Sequence, residues 1–104
     1  MKEKTVKKNG FLLTIEKRTI RGKTAEEEIV ALTLDKERSK KFKLRQKVKV
    51  DKHDQVPNEA VGDIKKFITT YEKGYTSVSA IVDFGLWLGE HRVNPMSLRP
   101  TNGH

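Results

Sequence analysis

Hydrophobic and polar positions follow two different rhythms along this chain. Gly10 to Thr19 (GFLLTIEKRT) begins with a short apolar run rich in strand formers, and Arg21-Gly22-Lys23 reads as a turn. In Glu27 to Asp35 the apolar Val30, Leu32 and Leu34 share one parity, which predicts a half-buried strand. Lys40 to Val50 (KKFKLRQKVKV) alternates most strongly. Its even positions are Phe42, Leu44, Gln46, Val48 and Val50, and its odd positions are Lys41, Lys43, Arg45, Lys47 and Lys49. Strand side chains alternate faces, so one face is predicted nearly apolar and the other uniformly cationic. Beyond Pro57 the rhythm lengthens. Ala60, Val61, Ile64, Phe67, Ile68 and Tyr71 follow helical spacing, with Asn58 as N-cap and Lys73-Gly74 as the C-terminal charge and cap. Thr76 then reads as a second N-cap before Ser77 to Gly89, a segment apolar on nearly all sides that predicts a second, buried helix. In so short a chain, another subunit is the expected cover for such a helix.

With 104 residues there is room for one ordinary domain. Residues 1–9 read as a flexible basic arm, 10–92 as the single domain and 93–104 (VNPMSLRPTNGH) as a tail or docking segment. The absence of cysteine excludes disulfides and thiolate metal sites and fits a reducing compartment. No apolar run is long enough to span a bilayer, and MKEKTVKKNG is not followed by the apolar stretch of a leader, so the cytoplasm is the expected location.

Charge sharpens the picture. The net charge is +8, and residues 1–56 carry 17 Lys or Arg against 9 Asp or Glu, while residues 57–104 carry 5 of each. A one-sided basic balance is the footprint of a polyanionic partner, nucleic acid before membrane surface, or else a device for solubility. Five like charges spaced about 7 Å apart on one strand face repel one another. That face reads as a phosphate- or base-contacting surface, against the alternative of an edge strand that uses lysine to block aggregation.

Basic strand, first helix, Gly-containing turn and Ser/Thr-capped apolar helix follow one another over residues 40–92. In Arg45 to Val50 (RQKVKV), Asn58 to Lys73, and the turn and helix start Gly74 to Val82, this order resembles the ribbon-helix-helix family of DNA-binding proteins. The resemblance implies an α+β fold, with N-terminal strands followed by two helices, assembled as a homodimer whose paired ribbons lie in the major groove of double-stranded DNA. It implies base contacts from Arg45, Lys47 and Lys49 with Lys43 and Lys41 at the flank. Thr76, Ser77 and Ser79 at the second helix start would clamp a backbone phosphate. The function so implied is sequence-selective DNA binding of the transcriptional repressor, plasmid or phage partition, or relaxosome accessory type. An added hairpin in residues 10–35 departs from the minimal fold.

Three other readings stay open. In one, residues 10–50 form a curved sheet whose cationic face holds single-stranded nucleic acid, although Phe42 lies opposite the lysines. A winged-helix binder would use the 28–50 hairpin as its wing. A protein-interaction or assembly module would bind an acidic partner. Chemistry beyond binding finds little support. His53, His91 and His104 share no ligand spacing, Glu26 to Glu28 read as a solvated acidic run, and Trp87 reads as core. No nucleophile elbow, phosphate-binding Gly loop or paired catalytic carboxylates can be found, so no enzyme activity, cofactor, metal or small-molecule substrate is expected.

Overall fold

Period-two alternation governs the chain even where it reads as helical. The computed structural model describes residues 3–8, 10–18, 26–37 and 39–101, whose regular elements are strands and one 3-10 turn. Strands β1 (Glu3–Lys8), β2 (Phe11–Arg18), β3 (Glu26–Leu34) and β4 (Lys41–Lys43) form an antiparallel sheet in the order β1-β2-β3-β4. Strands β5 (Lys47–Val50), β6 (Val61–Glu72), β7 (Tyr75–Asp83), β8 (Glu90–Val93) and β9 (Leu98–Pro100) form a second, in the order β8-β7-β6-β5-β9. The two sheets share one core. Phe11, Leu13, Leu32, Leu34 and Phe42 from the first meet Val48, Val50, Ile64, Phe67, Val82 and Leu98 from the second.

This architecture overturns the α+β expectation and with it the ribbon-helix-helix and winged-helix readings, since the described residues contain no α-helix. Asn58 to Lys73 fails as a helix because its apparent spacing comes from a bulge. The register of β6 against β7 shifts between Ile64 and Lys66, so that Ile64 and Phe67, three residues apart, both point inward. Lys73 and Gly74 are left-handed (φ 51° and 87°), as a helix cap requires at Gly74, but they serve the tight β6–β7 hairpin. In the second expected helix, Val78, Ala80 and Val82 are buried on one parity of β7. Its β-branched Thr and Val residues favour that pleated surface. Covered within one chain, these residues no longer call for a partner subunit.

The DNA-reading ribbon across a dimer fails for a separate reason. β5 is hydrogen-bonded on both edges, to β6 and to β9, and has no free edge to offer a second copy. Segments expected to lie outside the domain also join the fold. Residues 3–8, expected as a loose arm, form edge strand β1, and Leu98, expected in a tail, is fully buried in β9 after the 3-10 turn Pro95–Ser97. Asn94 caps that turn by accepting from the Met96 N–H at 2.9 Å. The expected turn at Arg21-Gly22-Lys23 lies outside the described residues.

One glycine is fixed by packing. A Cβ on Gly62 would stand 2.6 Å from Val82 Cγ1, 2.7 Å from the Asp83 carbonyl oxygen and 2.9 Å from Phe84 Cδ1. Backbone cannot yield as a side chain can, so Gly62→Ala is expected to cost about 1–3 kcal/mol. Urea denaturation of the variant checks this, and a loss below about 0.5 kcal/mol would contradict the close approach of β6 to β7.

Candidate functional site

Lys40 to Val50 is the segment that passes from one sheet to the other. β4 pairs with β3, Leu32 facing Phe42, and then the chain leaves that partner. Leu44 N–H still donates to the Val30 carbonyl at 3.1 Å, whereas Arg45 N–H donates to the Ile64 carbonyl at 2.7 Å. Ile64 N–H returns a bond to the Gln46 carbonyl at 3.0 Å, and β5 begins beside β6. Arg45 sits at the bend in the left-handed region (φ 67°), the conformation that lets the strand change partners. Gln46 braces the bend, accepting from the Lys43 N–H at 2.9 Å and donating to the Lys41 carbonyl at 3.3 Å. Gln46→Ala is expected to cost about 0.5–1.5 kcal/mol, measured by the same denaturation, because it orphans part of the edge strand's backbone. Unchanged stability would show that water replaces Gln46 at no cost.

The alternation of this segment is present in three dimensions, with a break. Phe42, Val48 and Val50 are buried, while Lys41, Lys43, Arg45 and Lys47 are exposed and Lys49 is half-exposed. Lys41 and Lys43 lie on the free edge of the first sheet, Arg45 at the corner, and Lys47 and Lys49 inside the second sheet. Lys47 Nζ lies 3.6 Å from Asp63 Oδ1. Lys41, Lys43, Arg45 and Lys49 have no ion-pair partner among the described residues.

Two grooves flank these cations. One of about 350 Å³ has Lys43, Arg45 and Lys65 opposite Glu16 and Glu28. A larger one of about 670 Å³ brings Lys49 together with Lys40, Arg99, Ser39 and Thr101. There Lys40 pairs with Glu37 (3.7 Å), and Arg99 contacts Asp51 (2.6 Å) and Glu59 (3.5 Å). Arg99 enters this groove from β9, which faces β5 with Lys49 opposite Arg99. Sequence reading missed it because it lay in the presumed tail.

Thr76, Ser77 and Ser79 do not join the lysines. They lie on β7, with backbones paired to Tyr71, Thr70 and Ile68, and Ser77 Oγ donates to the Thr70 carbonyl at 3.4 Å. No helix N-terminus exists there to bind a phosphate. Asp83 is the β7 residue level with Lys47 across β6, and Ser79 lies four residues, about 13 Å, further along the strand.

Trp87, expected in the core, is 98% exposed, and its neighbour Leu86 is fully so. Both sit at the tip of the β7–β8 loop between Gly85 and Gly89. The bracketing glycines were the signal for a turn, hidden by the apolar run around them. His53 and His91 meet nearby with ring centroids 5.5 Å apart. His91 Nδ1 lies 3.1 Å from Gln55 Oε1, and its Nε2 lies 2.6 Å from the Leu88 carbonyl oxygen. His53 Nε2 lies 3.1 Å from the Arg92 carbonyl oxygen. The pair thus ties the 51–60 loop to the β7–β8 loop, and no three His, Cys, Asp or Glu among the described residues gather as a metal site. His104 lies outside those residues. On the first sheet, Lys4 Nζ donates to Glu27 Oε1 at 2.9 Å and holds that carboxyl below the usual carboxylate range, through the hydrogen bond and then the charge. Among the described residues no helix is long and apolar enough to cross a membrane.

Comparison with protein-family models, curated proteins and solved structures finds no match. What the surface can do follows from its own residues.

Proposed function

We propose that this chain is a non-enzymatic nucleic-acid-binding module that grips the phosphate backbone through the sheet-switching segment. The observation that carries the reading is the set of four outward cations, Lys41, Lys43, Arg45 and Lys49, without carboxylate partners among the described residues. A folded surface normally relieves such self-repulsion by interspersing signs, as Asp63 does for Lys47. Four charges with no carboxylate within ion-pair distance, although Glu16 and Glu28 share a groove with Lys43 and Arg45, favour a polyanion that supplies a closer counter-charge. The track turns a corner and spreads over two sheets, which suits a ligand followed along its backbone better than one read base by base.

Backbone binding of this kind depends on salt because each neutralised phosphate releases counterions. With four phosphates engaged on a single strand, affinity falls about 50-fold between 50 and 200 mM salt. Fluorescence anisotropy of a labelled mixed-sequence oligonucleotide, titrated with the protein at both concentrations, tests this. Saturable binding that weakens with salt is expected. No binding at 50 mM salt, or binding indifferent to salt, would overturn the reading.

A further inference from the structure

We infer that Trp87 is a platform on which an unpaired base stacks, so that the ligand of the cationic track is single-stranded nucleic acid. The inference rests on the nucleic-acid reading above and adds to it a strand preference and the residue that sets it.

The loop carrying Trp87 is built to present it. Asp83 Oδ1 accepts from the Gly85 N–H at 2.9 Å, Phe84 N–H donates to the Gly89 carbonyl at 3.0 Å, and Gly89 N–H donates to the Gly85 carbonyl at 2.7 Å. His91 anchors the far side at the Leu88 carbonyl. Phe84 and Leu88 pack against the core, while Leu86 and Trp87 face solvent. A loop closed by its own hydrogen bonds at both ends presents Trp87 on a backbone with little freedom left to lose on binding.

Position selects Trp87 over the other exposed aromatics. By the strand register Phe84 stands level with Gly62, which faces Val48, so the loop begins two strands, about 10 Å, from β5 and Lys49. Tyr71 and Tyr75, also exposed, lie at the opposite end of the β6–β7 hairpin, about 30 Å away along the strands. A strand that follows Arg45 and Lys49 therefore passes about 10 Å from the start of the β7–β8 loop and about 30 Å from the tyrosines. Stacking tolerates any base because every base has a π-face. Of the carboxylates in the row between the track and the loop, Asp63 lies 3.6 Å from Lys47 and Asp83 3.9 Å from Lys65, which leaves Glu90 as the charge that the phosphates must pass. In a duplex the bases are already stacked on one another, and Trp87 would find no free face.

Trp87 is the chain's only tryptophan, so emission of the full chain reports this side chain alone. The experiment titrates the protein with an oligodeoxythymidylate and with a duplex of equal length, following tryptophan emission and, separately, anisotropy of the labelled nucleic acid. Expected are quenching that saturates together with the anisotropy for the single strand, and a Trp87→Ala variant that binds it about 5- to 100-fold more weakly. Duplex binding by that variant should be unchanged, and Trp87→Phe should restore part of the loss. Trp87 contributes no buried packing, so circular dichroism of both variants should match the wild type. Binding by anisotropy with unaltered emission and a fully active Trp87→Ala variant would overturn this inference and leave the nucleic-acid reading standing. No anisotropy change with either nucleic acid would overturn both. Quenching absent with oligonucleotide, but a blue shift with anionic phosphatidylglycerol vesicles, would assign the loop to a lipid surface and overturn the inference.

Discussion

Phe42→Ala is expected to remove about 3–5 kcal/mol of stability, a large share of the roughly 5–15 kcal/mol that holds a domain of this size. Phe42 is 1% exposed and lies in a strand of only three residues, flanked by two solvated lysines. Nothing else in β4 is buried, so this ring alone anchors the edge strand to the core beside Leu32. Its loss leaves a cavity that the flanking lysines cannot fill, and it frees the segment that joins the sheets. Urea denaturation followed by circular dichroism measures the effect. Lys41→Ala and Lys43→Ala, made beside it, should shift stability by less than about 0.5 kcal/mol. A Phe42→Ala protein as stable as the wild type would mean that the sheet-switching segment is not anchored this way.

The second large effect is on binding. Replacing Lys41, Lys43, Arg45 and Lys49 together by glutamine is expected to lower single-strand affinity on the order of 100-fold at 150 mM salt. The slope of log affinity against log salt should flatten by about 3, the sum expected for four lost phosphate contacts. All four side chains are exposed or half-exposed, and removing four like charges from a chain of net charge +8 relieves self-repulsion, so the fold should persist. A comparison set, Lys4, Lys7 and Lys40 changed to glutamine, removes cations already paired with Glu27, Asp35 and Glu37 and should flatten the slope far less. Equal losses from both sets would show that net charge alone drives binding, without a defined track.

Local alternation was legible in the sequence wherever it ran uninterrupted. Leu32 and Leu34 of β3, and Phe42, Val48 and Val50 around the bend, are buried on the parity their spacing indicates. The partner change at Arg45 was not legible, because alternation continues through Leu44 and Gln46 while the hydrogen bonds pass from β3 to β6. Charges that read as one flat cationic strand thus divide between two sheets. The helices were misread for a different reason. The bulge at Lys65 adds one residue to the period, placing Ile64 and Phe67 at a spacing that a helix also produces. Gly74 supplies a left-handed residue that suits a helix end and a hairpin equally. Leu86, Trp87 and Leu88 extend the apolar run of β7 in the way a buried helix would, although Gly85 and Gly89 on either side are turn residues. Arg99 escaped notice because the pairing that brings it beside Lys49 joins residues fifty positions apart.

Mapping backbone amide shifts by NMR while adding an unlabelled oligodeoxythymidylate to the isotopically labelled chain tests the proposed surface most directly. Perturbations are expected along Lys41 to Lys49, at Arg99 and in the β7–β8 loop, with the indole N–H of Trp87 among the largest. Shifts confined to the β6–β7 hairpin or to β1 and β2, or a spectrum unmoved at 50 mM salt, would contradict the assignment of this bent segment as the nucleic-acid interface.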